Sequence, residues 1–448
     1  MSKRVGFVTL GCKVNTYESD ALKEELIKRG FECVDACDDC DVYIINTCSV
    51  TNMADRKSRQ MIRKCIKMNP SAIICAMGCF TQTSKEAINI EGVDILIGNG
   101  NKSLAIDKIC DALNGELKEK YINIVDILNT QEYEKLGVTT YDHTRAFVKI
   151  EDGCNQFCTY CIIPFARGPV RCKSVDDVLD ELKMIADNGY KEVVLTGIHT
   201  GRYKDGDINL SKLLRMILDN IPKLKRIRLS SIEINEIDDD FINLMRESKD
   251  MANHLHLPLQ SGSDKILKLM GRPYNRQYFI DKVKKIKEVR NDIQISTDII
   301  VGFPEETEED FIDTYNLCIE AGLVKLHIFP FSKRSGTKAA LMKDVSPDIK
   351  KERVERLIKL SSKLELEYAK KFIGKTMDAI VEQKVSDGFS ICHTSNFLTV
   401  HIPYKQEFIK KLVDIKILNI ENDIIYGEVI KKYENWWKNS LQFNYDLI

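Results

Sequence analysis

Three cysteines within eight residues limit this chain more than any other feature. Cys154, Cys158 and Cys161 stand at C-x3-C-x2-C inside the run Glu151-Asp152-Gly153-Cys154-Asn155-Gln156-Phe157-Cys158-Thr159-Tyr160-Cys161. Thiolates this close on one loop can hold three corners of a [4Fe-4S] cube, and the fourth iron is then open to a small molecule. The run follows Ala146-Phe147-Val148-Lys149-Ile150, an apolar, strand-like segment. The spacing therefore predicts a compact loop leaving the end of a strand.

The rest of the composition frames that loop. A chain of 448 residues exceeds one ordinary core, and its length predicts about three domains. Its 15 cysteines, in a chain whose N-terminus Met1-Ser2-Lys3-Arg4-Val5 runs straight into a strand-like segment, point to metal or redox chemistry rather than disulfides. The expected location is cytoplasmic, with no membrane partner, because no apolar run reaches the length of a spanning helix. A net charge of −1 gives no global attraction to nucleic acid, so any such binding must use a local patch.

Residues 1–128 alternate strand and helix, the pattern of an open parallel sheet covered by helices. Strands are expected at 5–10, 41–46, 72–77 and 93–97, with helices at 18–29 and 55–68. A cysteine follows each of the first three strands, in Leu10-Gly11-Cys12, Thr47-Cys48 and Met77-Gly78-Cys79. Ligands of open α/β sheets bind outside the strands' carboxyl ends, so Cys12, Cys48 and Cys79 are expected to converge there. A second C-x3-C-x2-C run, Cys33, Cys37 and Cys40, lacks flanking glycine or aromatic residues and is crowded by aspartates. It reads as surface cysteines on a helix-to-strand loop, at the opposite edge of the sheet from Cys12.

Residues 115–142 read as a linker. From 140 to 370 the βα pattern repeats six times, the signature of a partial (β/α)6 barrel, whose chemistry lies past the strands' C-termini. Those positions are polar or glycine-rich: Thr196-Gly197, Ser230-Ser231-Ile232-Glu233, Pro258-Leu259-Gln260, Asp298 and Val301-Gly302-Phe303-Pro304. A long charged helix spans 346–371. Residues 371–433 then switch to period two, with five short strands that predict a small all-β barrel of the OB type, a frequent nucleic-acid module. The basic helix with Arg56, Lys57, Arg59, Arg63 and Lys64 is a further candidate RNA face. Trp436 and Trp437, in the last stretch of the sequence, have no assigned role.

The cluster loop, down to Tyr160 before the third cysteine, resembles the signature of the radical S-adenosylmethionine superfamily. The two cysteine triads and the three-domain order resemble the methylthiotransferase family within it. The segment Thr9-Leu10-Gly11-Cys12-Lys13-Val14-Asn15-Thr16-Tyr17-Glu18-Ser19 is similar to the branch acting on threonylcarbamoyladenosine in tRNA. The resemblance implies an N-terminal auxiliary-cluster domain, a radical S-adenosylmethionine barrel and a C-terminal TRAM domain. It implies two [4Fe-4S] clusters, one on Cys154, Cys158 and Cys161 that binds S-adenosylmethionine, and an auxiliary one on Cys12, Cys48 and Cys79. By motif position Tyr160 holds the adenine, Thr196 and Gly197 lie near the methionine amine, Ser231 and Glu233 near the ribose or amine, and Gln260 near the carboxylate. The implied partners are the anticodon loop of tRNA and a low-potential electron donor. The implied reaction inserts a methylthio group at carbon 2 of the modified adenosine. The alternatives are isopentenyl-adenosine of tRNA, a ribosomal-protein aspartate, and a non-enzymatic Fe–S RNA-binding protein or sensor.

Overall fold

The computed structural model describes residues 2–141, 143–385 and 388–432, so Trp436 and Trp437 lie outside the described residues. The N-terminal part contains β1 (Arg4–Thr9), α1 (Lys13–Lys28), β2 (Glu32–Asp35), β3 (Val42–Thr47), α2 (Asn52–Met68), β4 (Ile73–Gly78), α3 (Cys79–Thr83), α4 (Lys85–Ile88), β5 (Ile95–Ile97), α5 (Leu104–Leu113) and β6 (Tyr121–Asn123). Its six strands form one parallel sheet in the order β2-β1-β3-β4-β5-β6. The chain reverses its direction of winding between β1 and β3. A crevice opens there at the carboxyl ends of the two strands.

Two strands depart from the sequence reading. β2 is only four residues long, and residues 36–41 return from it across β1 without a helix. They can do so because residue 6 is glycine: a Cβ there would lie 2.7 Å from Cys40 Sγ and 3.0 Å from Ala36 Cα. β6, within the expected linker, pairs with β5 as the sheet's edge. Helices α1 and α2 also start earlier than their apolar periodicity suggests. The first turns of α1 bury Asn15, Glu18, Ser19 and Asp20, polar residues that face protein rather than solvent. α2 gains its start from the Thr51 side chain, which accepts from the Ala54 N–H.

The central part runs through β7 (Ala146–Lys149), β8 (Glu151–Asp152), α6 (Ile163–Arg167), β9 (Arg171–Cys172), α7 (Val175–Asp187), β10 (Glu192–Thr196), β11 (Lys204–Asp205), β12 (Ile208–Asn209), α8 (Leu210–Asn220), β13 (Arg226–Leu229), α9 (Asp239–Glu247), β14 (His254–His256), α10 (Asp264–Met270), α11 (Arg276–Val289), β15 (Gln294–Val301), α12 (Glu308–Glu320), β16 (Lys325–Pro330) and α13 (Pro347–Lys370). The long strands form two parallel three-stranded sheets, β13-β10-β7 and β14-β15-β16. A bridge between Ile227 and Met251 links them. Their outward faces share one apolar core with the helices, and Tyr17 and Ala21 of α1 belong to it. The N-terminal sheet is thus fastened to the central part through its first helix.

The last strands, β17 (Thr376–Lys384), β18 (Phe389–Thr394), β19 (Thr399–Pro403), β20 (Leu412–Glu421) and β21 (Ile424–Lys432), close into a barrel in the order β17-β18-β19-β21-β20. The barrel docks on the starts of β10 and β13. Buried Glu192 pairs with Arg226 and Arg228, at 2.8 and 2.9 Å, and Arg226 also pairs with Asp378 of the barrel. Arg228 donates to the Ser395 carbonyl at 3.2 Å. Phe397, at the β18–β19 turn, stacks on His254 with 5.0 Å between centroids.

Candidate functional site

Residues 153–161 are clamped on both sides. Gly153 has φ +92°, and a Cβ there would overlap the Pro169 carbonyl, so only glycine lets the loop leave β8 at this angle. Cys154 N–H donates to the Gly168 carbonyl at 2.9 Å. Thr159 N–H donates to the Met270 carbonyl at 3.0 Å, and the Thr159 hydroxyl to the Leu269 carbonyl at 2.8 Å. Tyr160 packs edge-on against Phe303, which in turn meets Phe331. The three cysteines are half-buried on the inner side of this loop.

The Cys154 and Cys158 sulfurs have polar neighbours. His199 Nδ1 lies 3.3 Å from Cys154 Sγ, and the Gln156 N–H lies 3.4 Å from the same sulfur. Arg272 donates to Cys158 Sγ at 3.6 Å. Burial pushes the Cys154 and Cys161 thiols up to about 12. It also raises Cys158, against the pull of Arg272. Three neutral thiols in a shielded pocket are the protonated form of a soft-metal donor set, because a bound metal displaces the thiol proton.

The rim residues expected from the sequence are distributed as follows. Thr196 ends β10, buried, and its carbonyl accepts from the Ile150 N–H at 2.9 Å. Gly197 lies against Glu151: a Cβ would stand 2.7 Å from its Oε2. Burial raises the Glu151 carboxyl well above its ordinary range, and the same Oε2 accepts from the His199 N–H at 2.6 Å. The Ser231 carbonyl accepts from the Thr200 hydroxyl. Gln260 adopts φ +70° and is held by the Asp298 carbonyl and the Ile300 N–H. Glu233 is ion-paired to Arg272, so it reaches the cluster loop as half of a pair rather than as a free carboxylate. Arg272 and Tyr274, which hydrogen-bond each other and the Pro258 carbonyl, were not legible as site residues. Their only signal is Gly271-Arg272-Pro273, where Gly271 ends α10 in the left-handed conformation.

Cys12, Cys48 and Cys79 meet at the crevice between β1, β3 and β4. Gly11 has φ +96°, and a Cβ there would lie 2.8 Å from Cys48 Sγ. Gly78 has φ +108°, with Asn46 Oδ1 2.7 Å from its Cβ position, so the chain turns tightly into α3 and its first residue, Cys79. Asn99 donates to Cys79 Sγ at 3.3 Å. Cys12 is exposed and Cys48 buried; burial raises the Cys48 thiol to about 11, and each thiol lies within electrostatic range of the other two and of Arg167.

Arg167 ends α6, the five-residue helix that begins two residues after Cys161. The helix carries the chain from one thiol triad to the other. Arg167 is fully buried and binds Glu18 at 2.8 Å, Asp152 at 3.1 Å and Asn15 Oδ1 at 2.5 Å. Glu18 also pairs with Lys102 and, at 3.1 Å, with Lys149. These cations hold the Glu18 carboxyl well below its usual range despite burial. A buried charge network therefore fixes the N-terminal sheet to the cluster loop.

Of the second C-x3-C-x2-C run only Cys37 and Cys40 come together, with 3.5 Å between their sulfurs and Asp39 beside them, while Cys33 stands apart. Cys33, on β2, packs against the Val5 and Phe7 face of the sheet, whereas Cys37 and Cys40 pack with Tyr43 on the other. The expectation of surface cysteines is corrected at Cys40, which is fully buried beneath Gly6.

Comparison with known proteins agrees with this geometry. Residues 148–318 match the Radical SAM superfamily, and residues 4–98 match the family described as Uncharacterized protein family UPF0004. The fold resembles that of the radical S-adenosylmethionine methyltransferase TsrM from Kitasatospora setae, solved with cobalamin and a [4Fe-4S] cluster bound. The TM-score is 0.56 at 15% identity, covering 76% of this chain and 77% of that one. The class is that of radical S-adenosylmethionine proteins. The threonylcarbamoyladenosine tRNA methylthiotransferase MtaB of Bacillus subtilis (strain 168) is 41% identical over 440 residues, 96% of this chain and 97% of its own. The tRNA-2-methylthio-N(6)-dimethylallyladenosine synthase of Acetivibrio thermocellus is 34% identical over 438 residues, 94% of this chain and 90% of its own. The chain belongs to the radical S-adenosylmethionine methylthiotransferase family and is of the MtaB type.

Proposed function

We propose that this enzyme transfers a methylthio group to carbon 2 of N6-threonylcarbamoyladenosine beside the anticodon of tRNA, using two [4Fe-4S] clusters and S-adenosylmethionine. One observation carries the reading: two separate thiol triads are joined by the single short helix α6. A radical generator needs only one triad.

The residues present fit the groups. Each triad offers three thiols, as an iron–sulfur cluster with one open iron requires. Arg272 at Cys158 and Asn99 at Cys79 donate to sulfur, the contacts that tune such a cluster. When bound, the cluster on Cys154, Cys158 and Cys161 supplies, with S-adenosylmethionine and a low-potential electron donor, the means to break an unactivated C–H bond. The protein's own part is positional. Tyr160, Thr196, Gly197, Ser231, Glu233 and Gln260 form the rim that orients S-adenosylmethionine. The Glu233–Arg272 pair fixes one side of that rim, and the core of Phe303 and Phe331 behind Tyr160 excludes water.

We read the six βα units as an open (β/α)6 barrel spanning residues 140–370. We assign residues 1–128 as the auxiliary-cluster domain and residues 371–433, which contain the five-stranded barrel, as a TRAM-type module for RNA. The proposed location is cytoplasmic; among the described residues no helix is long and apolar enough to cross a membrane.

Mass spectrometry of tRNA nucleosides tests the substrate. A strain deleted for this enzyme loses the methylthio derivative of threonylcarbamoyladenosine and regains it on complementation. Loss of the dimethylallyladenosine derivative instead would reassign the substrate.

A further inference from the structure

Lys13 directly follows Cys12 and opens α1, and its side chain is exposed. It lies within electrostatic range of Arg145, Arg228, His254 and Asp298, all from the central part of the chain. The residues around it are already matched. Arg145 pairs with Glu382 at 3.0 Å, Arg228 with Glu192 at 2.9 Å, and Asp298 with His256 at 3.2 Å. Lys13 has no ion-pair partner among the described residues. The Arg145 and Arg228 guanidiniums are also held over the Phe397 ring, at 5.2 and 4.6 Å. The wall next to the auxiliary triad thus presents one cation with no ion-pair partner among the described residues.

We infer that Lys13 binds the free carboxylate of the substrate's N6 substituent and so selects threonylcarbamoyladenosine over bases with uncharged substituents. The inference rests on the function proposed above. An adenine whose carbon 2 is offered to the Cys12 side carries its N6 group on the same small ring system. A lysine ammonium on its long stem is suited to meet a carboxylate there. An apolar dimethylallyl group leaves the ammonium unpaired and is disfavoured for that reason.

The test compares two forms of one tRNA with the reconstituted full-length enzyme: one carries threonylcarbamoyladenosine, and in the other that carboxylate is converted to the methyl amide. The parent is expected to lose about 10- to 100-fold in kcat/KM on the amide. Lys13→Gln is expected to lose a similar factor on the acid and to show nearly equal values on both substrates, while keeping the parent's iron content and S-adenosylmethionine cleavage. Lys13→Arg restores most of the preference for the acid. The inference is overturned if the parent uses acid and amide equally, which needs no variant. It is also overturned if Lys13→Gln keeps the parent's full preference for the acid. A parent that forms no product on the acid tRNA contradicts the proposed function itself, a distinct result.

Discussion

Arg167 is where the two halves of the site depend on one side chain. Its guanidinium meets Glu18 of α1 and Asp152 beside the cluster loop, both buried. Changing Arg167 to Met leaves two carboxylates without their main cation, and breaking a buried pair in this way costs about 3–5 kcal/mol. Denaturant unfolding of the reconstituted enzyme is expected to show a loss of that size; a change below about 1 kcal/mol would contradict the network's role. Arg167→Lys should not restore the parent, because an ammonium cannot reproduce the planar fork that binds Glu18, Asp152 and Asn15 together. None of this was legible in the sequence. Arg167 and Glu18 are 149 residues apart, and only the fold makes them neighbours.

At the scale of elements, strand ends and dockings decide what the site can do. Gly78→Ala places a Cβ 2.7 Å from Asn46 Oδ1 at a left-handed φ, so Cys79 must shift while the loop 153–161 is untouched. Iron content is expected to fall from about eight to about four per chain. Unchanged iron would show that Gly78 does not position Cys79. The docking of the C-terminal barrel has a pH signature. Burial by itself raises Glu192, but Arg228 and Arg226 outweigh it and hold the carboxyl at about 2. Its folded pKa lies below the unfolded value of about 4.3, so its contribution is full above that value and is lost as pH falls toward 2. The contribution is about 3 kcal/mol. Glu192→Gln should therefore flatten the acid limb of the stability curve over that window, as thermal unfolding against pH would show.

The sequence revealed the main strands of the central part because each is a short apolar or alternating segment set between helical stretches. It revealed the cysteine triads because strand-end placement recurs. It hid β2, since a four-residue strand with an unsupported crossing over Gly6 has no periodicity to read. The spacing at Cys33, Cys37 and Cys40 is rightly discounted for want of flanking glycine or aromatic residues: strand alternation sends Cys33 to one face of the sheet while the following loop carries the other two to the opposite face.

In the whole molecule two thiol triads, proposed to hold the clusters, lie at either end of α6, and the small β-barrel docks on the starts of β10 and β13. α1 belongs to the central core, α6 spans the triads, and Arg226 and Arg228 tie the barrel to the strand starts. Sulfur insertion is assigned to the triad on the N-terminal sheet, and radical generation to the triad on the loop. The most direct measurement uses anaerobically reconstituted enzyme in which Cys12, Cys48 and Cys79 are all Ala, incubated with reductant, S-adenosylmethionine and threonylcarbamoyladenosine-bearing tRNA. The account predicts continued release of 5′-deoxyadenosine with no methylthio product in the tRNA. Formation of the methylthio nucleoside by that variant would contradict it.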